Sequence, residues 1–248
     1  MKRLLIAMLA VLLLQCHGTK DHAHWSYSGH GGPEKWGELQ DDFKLCSTGK
    51  NQSPIDIQPL MARPTGASDI MIQYQPTAMK TLNNGHTVQL NNSAPSVAVI
   101  AGQRYELLQL HFHAPSEHKI NGRAYPLEVH LVHKSSSGSL AVIGVLFEEG
   151  TASAALESLL QSFPDAAGQE KDLAATFQPA TLLPAQTGYY RYSGSLTTPP
   201  CSEGVLWSVA RRTVTASPEQ LSRFRKQFYN GNARPVQPMQ GRILESKM

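Results

Sequence analysis

Residues 107–134 read LLQLHFHAPSEHKINGRAYPLEVHLVHK. Side chains alternate between the two faces of a strand. Gln109, His111 and His113 therefore share one face, while Leu108, Leu110 and Phe112 take the other, which reads as core. The second apolar segment repeats the design: Glu128, His130 and Val132 on one face, Val129 and Leu131 on the other. Pairing these two strands brings His111, His113 and His130 to one point. Three imidazoles with a fourth position open is the arrangement of a catalytic zinc, one ion per chain. A strand histidine can equally be a hydrogen-bonded core residue. Gln109 and Glu128 bear on the choice, because each stands two residues before a histidine on the same face. Each is placed to accept from the second ring nitrogen of an imidazole, fixing its tautomer. Buried amide and carboxylate groups would otherwise need other partners.

The rest of the chain frames these strands. Its 248 residues are 41% hydrophobic and 17% charged, with 16 Pro and 19 Gly, an ordinary globular composition. No internal repeat or low-complexity linker divides it, so one domain is expected. The formal charge is +3 without a basic cluster, and no nucleic-acid motif is visible, which argues against a nucleic-acid partner. Residues 1–18 read as an export signal: Lys2 and Arg3, then an apolar run over 4–14 too short to span a bilayer. The cut is expected near Gly18, with lipidation of Cys16 a minor alternative. Removing the leader takes two of the 22 basic residues and no acidic one, leaving 20 against 19.

Alternation predicts strands over 70–74 and 87–90, with the Asn-Gly turn of LNNGH (82–86) between them. The apolar run 139–147 predicts a strand buried on both faces. Residues 151–163 have helical apolar spacing and stop at Pro164. Residues 217–229 form a second expected helix, with Ser217 at its N-cap and Pro218 in the first position. Pro199 and Pro200 lack ladder donors, so 197–200 is a shaped loop. The expected architecture is mostly β (α+β), with a large, mainly antiparallel central sheet and peripheral helices.

HFHAPSEH (111–118), LEVHLVH (127–133) and YSGSLTTPPCSEGVLW (192–207) closely resemble the α-class carbonic anhydrases, in family order. The resemblance runs from about residue 24 to about residue 243. It implies the α-carbonic-anhydrase fold and reversible, zinc-dependent hydration of CO2 to bicarbonate and a proton. It implies zinc on His111, His113 and His130, attack by zinc-bound hydroxide, and His86 as proton shuttle. Glu117 would accept from the Thr197 hydroxyl, and Thr198 would stand beside the substrate. Val132, Val142, Leu196 and Trp207 would form an apolar wall for CO2. The Asn232 carbonyl would support His113, Glu117 and His118 would be buried beside the metal, and Ser53-Pro54 would be cis. Trp25, Tyr27 and Trp36 resemble the family's N-terminal aromatic cluster, with Tyr27 in the active-site solvent network. Sulfonamide inhibition is expected, and a homodimer is compatible with bacterial relatives.

Outside the leader only Cys46 and Cys201 remain. Two cysteines in an oxidising compartment form a natural pair, expected here for a periplasmic or secreted protein. The alternatives to the enzyme are a catalytically weak carbonic-anhydrase-like binding module and a zinc esterase. The presence of all three histidines weighs against the first. The lack of an H-E-x-x-H helix weighs against a peptidase.

Overall fold

The computed structural model describes residues 24–66, 70–185, 188–228 and 230–248. The expected leader, with Lys2, Arg3 and Cys16, and His22 lie outside the described residues. The strands in chain order begin with β1 (Asp56–Ile57), β2 (Arg63–Pro64), β3 (Met71–Gln73), β4 (Lys80–Asn83) and β5 (Val88–Asn91). They continue with β6 (Val97–Ile100), β7 (Gln103–His113), β8 (Lys119–Ile120), β9 (Arg123–Ala124), β10 (Leu127–Lys134) and β11 (Leu140–Glu149). The last are β12 (Glu170–Asp172), β13 (Tyr189–Ser195), β14 (Glu203–Ala210), β15 (Val214–Ala216) and β16 (Glu245–Lys247). The α-helices are α1 (Trp36–Leu39), α2 (Leu45–Thr48), α3 (Ala154–Leu160) and α4 (Pro218–Gln227).

Among the described residues, 13 strands form one sheet with the main order β12-β4-β5-β7-β10-β11-β14-β13-β16-β2. Most pairings are antiparallel, as expected, but β11 runs parallel to β14 and β15, and β16 parallel to β2. The centre of the sheet is covered on both faces. On one side Leu110, Phe112, Val129, Leu131 and Val145 pack with Leu156, Leu159 and Phe224 of the helices. On the other, Val132, Val142, Tyr192 and Trp207 form a second apolar cluster. Fully burying one such aliphatic or aromatic side chain contributes roughly 1.5–3 kcal/mol. The two-faced burial of β11 explains its continuous apolar run over 140–147.

Residue 108 departs from the expected alternation. Leu110 and Phe112 are fully buried, but Leu108 is 41% exposed. The cause is a bulge in the β7–β10 pairing: Val132 stands opposite Gln109, while His133 stands opposite Leu107. One extra residue rephases the strand. Before it Tyr105 and Leu107 face the core; after it Leu110 and Phe112 do, and the odd-numbered histidines turn to the other side.

The strands expected over 70–74 and 87–90 are present as β3 and β5, and an unforeseen strand, β4, lies between them in the chain. The partner of β5 is β4, whose Asn83 opposes Val88, and β3 is paired with β6. Short apolar runs carry no record of which strand they will join. The Asn-Gly turn itself is present, closed by Asn84 Oδ1, which accepts from the His86 and Thr87 amides at 2.9 Å each.

Both helices are shorter than their apolar patterns. Ser153 caps α3, its Oγ accepting from the Leu156 amide at 3.3 Å. Residues 161–163 leave the helix ahead of Pro164, which disfavours helical backbone before it. Ser217 caps α4 in a reciprocal capping box with Gln220. The Gln220 side chain also bonds both backbone groups of Ser153, tying the two helices together.

Candidate metal centre

The β7–β10 register places His111 directly opposite His130, and His113 opposite Glu128. One ring nitrogen from each of the three histidines lies within 4.8 Å of the other two. The remaining ring nitrogens are committed. His111 Nδ1 donates to Gln109 Oε1 at 2.8 Å, His113 Nδ1 to the Asn232 carbonyl at 2.7 Å, and His130 Nε2 to Glu128 Oε1 at 2.9 Å. Each acceptor offers only lone pairs, so each imidazole must donate there. That leaves Nε2, Nε2 and Nδ1 respectively with free lone pairs. Burial, first of all, holds the three imidazoles below the ordinary histidine range, His113 at about 4. They are therefore neutral at neutral pH, the state a metal ligand requires.

The fit to a cation rests on two atoms. His113 Nε2 and Glu117 Oε2 are buried without a hydrogen-bond partner, 3.5 Å apart. His130 Nδ1 lies 3.9 Å from the same carboxylate oxygen. Unpaired buried polar atoms cost free energy. A cation among these nitrogens would supply the missing partner to His113 and a compensating charge to Glu117.

Glu128 does more than support His130. Its Oε2 accepts from the Glu117 and His118 amides at 2.9 Å each, and its Oε1 also accepts from His118 Nδ1 at 2.7 Å. Burial pushes this carboxyl up, but His118 and His130 together hold it well below the usual range. His118 Nε2 meets the Tyr192 hydroxyl at 2.7 Å. His118 is thus absorbed in the support of the centre. Sequence reasoning missed the role of Gly144, which opposes His130 across β10 and β11. A Cβ there would lie 3.0 Å from Glu128 Oε1. Its only sequence signal is a glycine inside an otherwise bulky run.

Glu117 Oε1 accepts from the Arg234 amide at 2.9 Å. Burial raises the Glu117 carboxyl to about 7, against the lowering effects of His130, the Thr197 hydroxyl and the Arg234 amide. The Thr197 contact falls short of a fully formed hydrogen bond, since Oε2 remains unsatisfied. Tyr27 is half-buried nearby, its phenol pushed well up by desolvation and then by the Glu117 charge. Val132, Val142 and Trp207 are in register across β10, β11 and β14, and Leu196 packs against them. Trp207 is fixed by its indole N–H, which donates to the Ser195 carbonyl at 2.9 Å. Thr197 is buried and Thr198 half-buried in the loop between β13 and β14.

His86 is half-buried at the rim and stacks on Trp25, with ring centroids 3.6 Å apart and planes 7° apart. It lines a cleft with Pro199 and Pro200. The Asn232 side-chain amide donates to the His86 carbonyl at 3.1 Å, so one residue braces both His86 and His113. Trp25, Tyr27 and Trp36 form the expected aromatic group, with edge-on rings 5.2–5.8 Å apart. Cys46 and Cys201 are disulfide-bonded, and Ser53-Pro54 is cis.

A sequence profile of the eukaryotic-type carbonic anhydrases matches residues 31–248. The chain is 43% identical over 238 residues to a carbonic anhydrase of Pectobacterium atrosepticum, covering 95% of this chain and 97% of that one. It is 42% identical over 250 residues to a carbonic anhydrase of Neisseria gonorrhoeae, covering 98% and 97%. Among solved structures, the α-carbonic anhydrase of Thermovibrio ammonificans, described in complex with the inhibitor sulfanilamide, superposes with a TM-score of 0.89. That match is at 46% identity, covering 90% of this chain and 99% of that chain. The chain belongs to the eukaryotic-type, or α, carbonic anhydrase family, whose members are lyases that hydrate CO2.

Proposed function

We propose that the chain hydrates CO2 reversibly with zinc bound through His111 Nε2, His113 Nε2 and His130 Nδ1. The observation that carries this is the tautomer pattern: three imidazoles, each with one nitrogen committed to an acceptor and the other turned to a common point. Zinc bound there supplies Lewis acidity that makes water nucleophilic near neutral pH. Glu117, once ionised, accepts from the Thr197 hydroxyl and so orients the Thr197 oxygen as an acceptor in the cavity. CO2 has no net dipole, and the wall of Val132, Val142, Leu196 and Trp207 offers it a dry surface beside that oxygen. Thr198 lines the approach. The product proton leaves through His86, an imidazole at the rim able to take up and release it. Gln109, Glu128 and Asn232 keep the three ligand tautomers fixed.

The disulfide fits an oxidising compartment, so a periplasmic or secreted location is the reading carried forward, with a homodimer compatible. Sulfanilamide, the inhibitor described with the Thermovibrio ammonificans relative, is expected to bind here and stop hydration. The test is elemental analysis and a CO2 hydration assay on the purified protein and on His113→Ala. One zinc per chain with activity is expected in the parent, and loss of both in the variant. Full zinc content and activity in His113→Ala would end this reading.

A further inference from the structure

Arg234 is 2% exposed, yet the chemistry above gives its side chain no role. It lies in the segment that follows α4, where no helix or strand ladder holds residues 232–239 in place. That segment nevertheless supplies two contacts to the centre: the Asn232 carbonyl on His113 and the Arg234 amide on Glu117. Irregular backbone keeps such positions only if side chains and cross-links fix it. Gln237 contributes one, its amide donating to the Pro54 carbonyl at 2.7 Å. The Arg234 guanidinium contributes three. Nη1 donates to Gln52 Oε1 at 2.9 Å and to the Ser53 carbonyl at 2.8 Å, and Nη2 donates to the Cys46 carbonyl at 2.9 Å.

These acceptors lead to the disulfide from both ends. Cys46 is one end. The other, Cys201, closes the Thr197 loop: its amide donates to the Thr198 carbonyl at 2.8 Å. Gln52 joins the two, since its Nε2 donates to the Cys201 carbonyl at 3.0 Å. One route therefore runs from Cys201 along the backbone to Thr197. The second runs from the Cys46 carbonyl through the Arg234 guanidinium to the Arg234 amide and Glu117. Glu117 and Thr197 come from distant parts of the chain, and the bridge is the covalent point that both routes share.

We propose that Arg234 is a positioning residue for the reaction, its guanidinium holding Glu117 against Thr197 by anchoring the Glu117 side to the Cys46–Cys201 bridge, whose other end closes the Thr197 loop. The proposal rests on the reading that Glu117 orients Thr197. A lysine keeps the charge but cannot reproduce the planar fork that reaches three acceptors.

The test uses full-length, zinc-loaded Arg234→Lys and Arg234→Gln. Each is expected to lose roughly tenfold in kcat/KM for CO2 per zinc-loaded molecule, because a displaced orienting group misaligns the attack. In weak buffer, where proton export limits turnover, kcat should fall much less. Removing the bridge with Cys46→Ser and Cys201→Ser should lower kcat/KM in the parent, and the effect should shrink in Arg234→Lys, since both changes cut the same route. A readout independent of turnover is hydrogen exchange at the Arg234 amide, followed by NMR in zinc-free protein. It should quicken by roughly tenfold when the bridge is removed, as the local opening becomes easier. Arg234→Gln leaves buried carbonyls without donors; if it does not fold, Arg234→Lys and the exchange measurement decide. A lowered unfolding midpoint with unchanged kcat/KM, fully multiplying effects of the two changes, or unchanged exchange would overturn the proposal. Glu117→Gln separates the premise: unchanged kcat/KM in that variant removes the orienting reading itself. A fall there, with none in Arg234→Lys, removes only the role of Arg234.

Discussion

His113 Nε2 and Glu117 Oε2 face each other at 3.5 Å, both buried and neither with a hydrogen-bond partner. Such a pair destabilises the chain until a cation joins it. Metal removal is therefore expected to lower the unfolding midpoint. Zinc at a thousandfold its Kd adds about 4 kcal/mol to stability when the unfolded chain does not bind it. Calorimetry of chelator-treated and zinc-reloaded protein measures the difference. Equal midpoints would show that these atoms do not line a zinc site.

Gly144 lies opposite His130, and a methyl group there would meet Glu128 Oε1 at 3.0 Å. Gly144→Ala should push Glu128 away from His130 Nε2 and weaken zinc binding. Disturbing such a supporting acceptor typically costs roughly 10–100-fold in metal affinity. Competition against a zinc chelator reads this directly. An unchanged zinc affinity would mean that Glu128 gives way without losing its hydrogen bond.

His86 sits half-buried between Trp25 and the cleft, and its imidazole is held below the usual range, first by burial and then by the nearby His24 charge. His86→Ala should lower kcat in weak buffer, leave kcat/KM for CO2 nearly unchanged, and recover rate in concentrated imidazole. His24→Ala should raise the pH at which kcat in weak buffer reaches half its plateau, because one lowering influence is gone. Stopped-flow pH profiles test both. A strong fall in kcat/KM without imidazole rescue would assign His86 a structural role.

His133 is fully buried on the core side, its Nε2 2.6 Å from the Tyr74 hydroxyl and its Nδ1 3.3 Å from the Ala141 carbonyl. Burial lowers its pKa to about 4, against the raising effect of backbone acceptors. The folded protein thus prefers neutral His133, and the unfolded chain takes up a proton near pH 6.5. The stability tied to it is complete above about pH 6.5 and is lost as pH falls toward 4, about 3 kcal/mol in all. Combining His133→Leu with Tyr74→Phe removes the pair without stranding either partner. Urea unfolding at pH 7 and pH 4.5 should show a smaller acid loss in that double variant than in the parent. An identical loss would locate the acid sensitivity in other groups.

Residues 107–134 by themselves carry much of the centre. Period-two alternation placed His111 and His113 on one face, and His130 on a second apolar segment of matching design. Gln109 and Glu128 were legible for the same reason, since residues two apart on a strand are neighbours in space. The start of α4 was also legible, because Ser217 at the N-cap and Pro218 at the first position act locally, whereas the reciprocal bond from Gln220 came from the structure. The resemblance carried Asn232, which no local pattern would have singled out.

Tertiary structure decided what depends on contacts between distant segments. The exposure of Leu108 follows from one unpaired residue in the β7–β10 register, which alternation within β7 alone does not contain. The pairing of β5 with β4 rather than with 70–74 was settled by competition among several short strands of similar apolar character. Gly144 matters only because the register sets it against His130, and Arg234 only because an irregular segment must borrow its anchors from Cys46, Gln52 and Ser53. Local sequence fixes periodicity and caps through interactions a few residues long. Which segments meet depends on the packing of the whole sheet, and no short window records that.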